Sequence, residues 1–327
     1  MNLDWSVISC VYNAAPVAKK SILSLLRTLP ESAEVILVDN HSPDPKTREW
    51  IQRCVSDKVR VVDPGKNLGC HHGWNAGYAV SRGRLVAKFD DDTVIKTPGW
   101  GPKMAQALDS IPALAYLSAD IDAKQANRYR MEQHGDVELE VAETGVVGFS
   151  FVAFRRSDVE RWGPMRAGAY TFAGQGAKRV CEEPPKENRF YGGEEVYYSG
   201  EAHSEGRFFA HFPAVQCHHL HNSERHPDYV MWKRVYGYYG WTDLDMEAWV
   251  ESGEHVGNYV KAARMEIISP TPNDALLIEW VRRLGDIGDL SLLDVIESVR
   301  VRTQNGALHE ACTEAAAKYI ERKDATT

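Results

Sequence analysis

Apolar residues over the first ninety positions recur in two alternating rhythms. Trp5 to Tyr12 is a short, mostly apolar run that suits a buried strand, and Asn13 and Pro16 then fit a helix start. Ile22, Leu25, Leu26 and Leu29 follow at i, i+3, i+4 and i+7, which makes one apolar face, and Pro30 closes the segment. Val35 to Val38 is a second apolar run, ending in the turn cluster Asp39-Asn40-His41-Ser42. Lys46 to Cys54 then predicts a helix, Val59 to Val62 a third strand, Gly73 to Val80 another helix, and Leu85 to Phe89 a fourth strand. Strand and helix alternate at the interval of an α/β fold whose sheet is covered on both faces.

After Asp92 the rhythm breaks. Residues 93–145 mix helical and extended signals, with Pro98, Gly99, Pro102 and Pro112 as punctuation. Gly148 to Arg156 reads as an apolar strand leading into Arg155-Arg156, residues 174–190 as a surface loop, and residues 208–219 as a strand interrupted at Pro213. From Asp228 onward the pattern is helical, with Pro270 and Pro272 as a boundary. Leu276, Leu277, Trp280, Val281 and Leu284 then share one apolar face. This divides the chain into an α/β domain over 1–227, with halves 1–92 and 93–227, and a helical region over 228–327.

Composition is that of an ordinary globular protein of 327 residues, 43% hydrophobic and 26% charged. A net charge of -8 disfavours a broad nucleic-acid-binding face. The six cysteines are scattered, with no pair at zinc-knuckle or redox spacing, which fits reduced thiols in a cytoplasmic protein. Met1-Asn2-Leu3-Asp4-Trp5 lacks a basic region followed by an apolar run, and no segment has the length of a membrane span. Neither secretion nor a membrane anchor is expected.

Candidate chemistry gathers where the strands should end. Asp90-Asp91-Asp92 follows the fourth strand, and adjacent carboxylates repel unless water, basic groups or a cation offset their charge. Two readings stand side by side: a site for a hard divalent ion, and a solvated acidic turn. Tyr12-Asn13, Asp39-Asn40 and Asn67 fall at the same edge. Open sheets of this kind bind ligands there, so a nucleotide is the expected occupant, with backbone N–H groups at helix starts facing its phosphates. Tyr229, Trp232, Tyr236 and Tyr239 follow helical spacing, either as core or as a surface for a sugar ring. Arg155, Arg156, Lys178 and Arg179 are equally open to surface solvation or to an anionic acceptor.

In this order the motifs resemble those of family 2 glycosyltransferases with the GT-A fold, over about the first two thirds of the chain. Val11-Tyr12-Asn13 and Val38-Asp39-Asn40-His41-Ser42 resemble the family's nucleotide-contacting loops, with Asp39 in the position that reads the base. Asn67-Leu68-Gly69 and Gly73-Trp74-Asn75-Ala76-Gly77 resemble its paired Asn-x-Gly motifs, although Trp74 stands where many relatives carry a basic residue. Asp90-Asp91-Asp92 falls at the family's DxD. The resemblance thus implies nucleotide-sugar contacts at Val11, Tyr12, Asn13, Asp39, Asn67, Asn75, Asp90 and Asp91.

It also implies Mn²⁺ or Mg²⁺ held by Asp90 and Asp92. A third ligand is suggested by Cys217-His218-His219-Leu220-His221, where spacing from Pro213 favours His219 over His221 and turns His218 to the opposite strand face. Tyr191-Gly192-Gly193-Glu194-Glu195-Val196 resembles the family's Glu-Asp motif. Its catalytic base falls at Glu195, a Glu in place of Asp, with Glu194 as the alternative. The implied activity is inverting transfer from a nucleotide diphosphate sugar, UDP-linked for preference, to a hydroxyl acceptor such as a glycan. The alternatives are a glycosyltransferase acting on modified DNA bases, a nucleotidyltransferase, and a non-catalytic nucleotide-sugar- or glycan-binding protein. The C-terminal helices are open to three roles: forming a homo-oligomer, capping the acceptor site, and completing the core.

Overall fold

The computed structural model describes residues 3–220 apart from 13–14, 43–44, 123–127, 144–145 and 167–193, and residues 277–326 apart from 279–280, 283 and 286–292. The chain forms two compact units, 1–220 and 221–327. In the first, β1 (Trp5–Val11), α1 (Ala15–Thr28), β2 (Ala33–Asp39), α2 (Pro45–Arg53), β3 (Val59–Val62), α3 (Gly69–Val80) and β4 (Leu85–Phe89) alternate as the sequence rhythm predicts. Then come β5 (Thr93–Ile95), α4 (Trp100–Ser110), β6 (Leu114–Ile121), β7 (Tyr129–His134), β8 (Val137–Ala142), β9 (Phe151–Arg155), α5 (Arg156–Trp162), α6 (Glu194–Ser204) and β10 (Phe208–His219).

All ten strands belong to one mixed sheet, ordered β3-β2-β1-β4-β9-β6-β10-β8-β7, with β5 pairing β10 off that path. Strands β1, β2, β3, β4, β6, β7 and β10 run one way, and β5, β8 and β9 the other. The sheet is thus mainly parallel in strand direction and flanked by helices. Antiparallel β9, inserted between β4 and β6, could not be read from the apolar run at 148–156, because strand direction is set by partners far away in sequence. Near Pro213 the β10 register against β6 shifts between Phe212 and Gln216, as expected where a strand lacks one N–H donor.

One face of the sheet carries a continuous core in which Ile8, Ile36, Val38, Val86, Val152 and Phe154 meet Trp74 of α3, Val159 of α5, and Tyr198 and Ala202 of α6. Trp74 is 1% exposed and stacks on Tyr78. On the other face an edge-to-face ladder runs through Trp5, Trp100, Phe151 and Phe89.

Helix α3 comes down closely because Gly77 faces the sheet: a Cβ there would stand 2.5 Å from Ile8 Cγ2 and 2.9 Å from Val38 Cγ2. Gly77→Ala is therefore expected to overpack this contact and destabilise the protein by about 1–3 kcal/mol. The measurement is the urea unfolding midpoint, which should fall while the slope is unchanged. Helix α3 also begins at Gly69, a turn earlier than the predicted Gly73, so His71-His72 lies within the helix and His71 is buried. The side chain of Asn40 fixes the new start, accepting from Leu68 N–H at 2.9 Å and donating to the Gly69 carbonyl at 3.0 Å.

A buried charge network ties α5 to the start of β10. Asp158, 4% exposed at its side chain, receives Arg207 at 2.7 and 2.8 Å, Arg161 at 2.7 Å and Arg155 at 3.3 Å. Burial pushes the Asp158 carboxyl up, but hydrogen bonds and charge from Arg207, then Arg161 and Arg155, outweigh it and hold it below the usual carboxylate range. Because the folded value is the lower one, this stabilisation is present above about pH 4 and is lost as pH falls through the depressed folded value. Asp158→Asn leaves three guanidinium groups short of a countercharge. It is expected to cost about 3–5 kcal/mol at pH 7 and to flatten the acid limb of the stability–pH curve, read by thermal unfolding from pH 7 to 2.

The second unit is helical among its described residues, with turns at 277–278, 281–282 and 284–285 followed by α7 (Leu293–Arg302) and α8 (Gly306–Thr326). Asn305 caps α8, its Oδ1 accepting from Ala307 and Leu308 N–H at 3.0 and 3.2 Å. Leu277, Val281 and Leu284 are buried, as their shared face predicts, and Tyr319 donates its hydroxyl to the Leu284 carbonyl at 2.6 Å. The predicted loop at 174–190, the aromatic stripe at 229–239 and the boundary at Pro270 and Pro272 lie outside the described residues. No helix among the described residues is long and apolar enough to cross a membrane.

Candidate donor and catalytic site

The carboxyl ends of β1, β2, β3 and β4 share one edge of the sheet, and the polar residues there are built into turns. Val11 is buried and its carbonyl accepts from Asn40 N–H at 2.9 Å, with Tyr12 half-buried beyond it. Asn13 lies outside the described residues. Asp39 is 2% exposed, and its Oδ1 accepts from Ser42 N–H at 2.9 Å, which shapes the turn after β2. Within that turn His41 takes a left-handed φ of 59° and points its Nδ1 at Asp63, 3.4 Å away. Asn67 accepts from the Asn40 amide at 2.9 Å and from Gly69 N–H at 2.9 Å, so the two asparagines clasp the loop before α3 onto the end of β2.

Asn75 has a different surrounding. Its amide donates to the Met165 carbonyl at 2.9 Å and its carbonyl oxygen accepts from Met165 N–H at 2.9 Å. It therefore fastens α3 to the chain after α5. The same stretch is gripped by α6: Tyr197 donates to the Trp162 carbonyl at 2.7 Å and Tyr198 to the Gly163 carbonyl at 3.0 Å. Ser199 of α6 lies 2.5 Å from the buried hydroxyl of Tyr116. These contacts anchor the helix that carries Glu194 and Glu195 in its first turn, where the helix dipole favours carboxylates.

The acidic triplet is a turn pinned from several sides. Ser21 of α1 donates to the carbonyls of Asp90 and Thr93 at 3.0 and 2.6 Å, and Ser24 accepts from Ile95 N–H at 3.0 Å. Asp90 N–H donates to the Ser150 carbonyl at 2.8 Å, while its carboxylate pairs with the buried ammonium of Lys88. Asp91 is half-buried in the turn. Asp92 is 2% exposed, and its Oδ1 lies 3.3 Å from Nε2 of His219.

That last contact exists because β5 runs antiparallel to the end of β10, with Thr93 opposite His219, and because Leu220 N–H donates to the Asp92 carbonyl at 2.8 Å. His218 turns the other way and pairs with Asp122, whose second oxygen accepts from His219 N–H at 3.1 Å. His221 lies outside the described residues.

Among the described residues no group of three His, Cys, Asp or Glu side chains is arranged as a ready cation cage. The Asp92–His219 pair nevertheless fits a hard divalent ion in the manner common for nucleotide sites, where one or two protein ligands suffice and phosphate oxygens complete the shell. Asp90, whose Oδ1 pairs with Lys88, is not gathered with them. Two basic candidates lie elsewhere. Arg155 pairs in register with Leu85, the first residue of β4, so antiparallel β9 carries it to the opposite edge. There it donates to the carbonyls of Leu114 and Ile111, and Arg156 donates to the Gly83 carbonyl. The structure therefore assigns these two to packing, away from the candidate site.

Ser21, Ser24, Lys88 and Asp122 shape the site without having been singled out from the sequence. Only Lys88 left a signal there, a charge inside an otherwise apolar strand.

Parts of this chain are similar to known proteins. An uncharacterized glycosyltransferase of Haemophilus influenzae is 30% identical over 105 residues, 32% of this chain and 32% of that protein. The succinoglycan biosynthesis protein ExoO of Rhizobium meliloti is 27% identical over 129 residues, 39% of this chain and 36% of that one. The matched stretch thus spans about a third of these relatives' length. A mannosyltransferase from Pyrobaculum calidifontis, solved in complex with GDP-Man and Mn²⁺, superposes with a TM-score of 0.49 at 14% identity, covering 99% of this chain and 88% of that one. Residues 6–172, just over half of the chain, match the model of glycosyl transferase family 2, and the chain belongs to that family.

Proposed function

We propose that this protein is a metal-dependent, inverting glycosyltransferase that moves a sugar from a nucleotide diphosphate donor, UDP-linked for preference, to a hydroxyl acceptor such as a glycan. The observation that carries the reading is the meeting of Asp92 and His219, 127 positions apart in a 327-residue chain, at the sheet edge that also holds Asp39, Asn40 and Asn67. The Asn40–Asn67 clasp and the Asp39 turn give the nucleoside a rigid floor. Asp92 and His219 would hold Mn²⁺ or Mg²⁺, which when bound supplies positive charge against a departing diphosphate.

The chain's own residues do the rest. Glu195 takes the proton from the attacking hydroxyl, and direct displacement inverts the sugar carbon. The anchored α6 limits how far that carboxylate can wander, as a positioned base requires. Cys10, Cys54, Cys217 and Cys312 carry thiols outside any disulfide, which suits the reducing cytoplasm.

The test is calorimetric titration of the full chain with UDP and with GDP, each with and without Mn²⁺. Metal-dependent binding of one nucleotide is expected, UDP for preference, and binding of neither under any condition would remove the donor-site reading. With a donor in hand, the anomeric configuration of the first product by NMR checks inversion.

A further inference from the structure

Lys88 stands where the strand pattern asks for an apolar residue. Leu85, Val86, Ala87 and Phe89 around it are buried, and its own side chain is 6% exposed. A buried ammonium is costly unless it is paired and hydrogen-bonded, and this one has partners on two elements of the donor edge. Its Nζ pairs with the carboxylate of Asp90 and donates to the carbonyl of Phe149 at 3.2 Å. The Phe149 ring in turn lies 6.4 Å from Tyr198 on α6, the helix of Glu195. Lys88 therefore ties the first carboxylate of the triplet to the segment against which the catalytic-side helix packs.

Resting on the donor-site reading above, we infer that Lys88 is a positioning residue: a built-in counter-ion that holds Asp90 in the metal-free edge and competes with a divalent cation for that carboxylate, so the cation binds tightly only together with a nucleoside diphosphate. A cation arriving alone finds Asp92 and His219 as its protein ligands, while Asp90, two residues before Asp92, is already paired with the Lys88 ammonium. That pairing opposes recruitment of Asp90 to the cation, and it is stronger in a partly buried site than in water. A diphosphate brings negative charge that offsets ammonium and cation together. Metal and nucleotide then bind cooperatively, with a coupling that is the same whichever comes first.

The experiment measures Mn²⁺ affinity of the full chain alone and with saturating UDP or GDP, and nucleotide affinity without metal, for wild type, Lys88→Met and Lys88→Arg. Wild type is expected to bind Mn²⁺ weakly alone and far more tightly with nucleotide. Lys88→Met should bind Mn²⁺ alone about tenfold more tightly or better, the scale on which a neighbouring charge shifts a carboxylate's affinity for a cation. The same variant should bind metal-free nucleotide more weakly, and Lys88→Arg should restore the wild-type order.

Opposite shifts in the two affinities are what loss of a purely structural contact would not produce. Unchanged or weakened Mn²⁺ binding in a Lys88→Met protein with wild-type thermal unfolding overturns the inference. If that variant does not fold, the wild type still decides: equal Mn²⁺ affinity with and without nucleotide overturns it. A wild type that binds no nucleotide under any condition removes the donor-site reading itself, and this inference with it, before the Lys88 variants are compared.

Discussion

Asp92→Ala is expected to abolish the Mn²⁺-dependent part of nucleotide binding while leaving a weak, metal-independent remainder. The side chain is buried, touches His219 at 3.3 Å, and sits in a turn whose backbone is held independently by Ser21 and by Leu220 N–H. Removing the carboxylate should therefore delete a ligand without unravelling the loop. Changes in the groups that merely support metal ligands typically cost about 10–100-fold in affinity, so loss of the ligand itself should cost at least about 100-fold. Calorimetry with the preferred nucleotide, with and without Mn²⁺, reads this directly. A variant that keeps wild-type metal-dependent affinity would show that the cation, if one is used, is held elsewhere. His219→Ala should give a smaller loss in the same direction, since an imidazole contributes a ligand without a full negative charge.

The second large effect belongs to Glu195. Glu195→Gln keeps shape and hydrogen-bonding capacity but cannot accept a proton, so turnover should fall by about 10²–10⁴-fold while donor affinity stays within a factor of about two. The measurement is release of nucleoside diphosphate from the accepted sugar donor in the presence of a hydroxyl acceptor, paired with calorimetry of the nucleotide alone. Full turnover in Glu195→Gln with loss in Glu194→Gln would move the base to the neighbouring residue. Relative to Asp, the longer side chain of Glu places its carboxylate about one methylene farther from α6. An acceptor seated correspondingly far from the helix is the physical consequence, and Glu195→Asp should therefore lose rate and not recover it. Because the tyrosines and Ser199 that anchor α6 lie further along the helix, these changes should leave thermal stability nearly intact.

Much of the first ninety residues was legible from the sequence alone. The spacing of Ile22, Leu25, Leu26 and Leu29, the continuous runs at 35–38 and 85–89, and the turn chemistry after them depend on interactions within a few residues. Local periodicity therefore placed α1, β2 and β4 at nearly their observed bounds. Once strands and helices alternate, a parallel sheet requires every strand in that series to end on one edge, which is why Asp39, Asn67 and the triplet could be expected there together. The Asn-x-Gly pair also carried its own reason. Gly77 must be small for α3 to approach β1 and β2, and Asn67 must turn the chain before Gly69.

Other assignments depended on partners far off in sequence, which no local pattern encodes. The run at 148–156 was visible as a strand, yet only its antiparallel insertion between β4 and β6 sent Arg155 and Arg156 to the opposite edge. Asn75 belonged to a motif, but Met165, 90 residues on, takes both of its amide groups. His219 was favoured over His218 by strand alternation, whereas its contact with Asp92 arises from the pairing of β5 with the end of β10.

The sequence by itself therefore determined the elements of the first ninety residues, their order and the edge on which the acidic triplet stands, because these follow from short-range sterics and periodic burial. Tertiary structure alone decided which side chains meet there, Lys88 with Asp90 and Asp92 with His219, because a contact between strands depends on register and direction across the whole sheet.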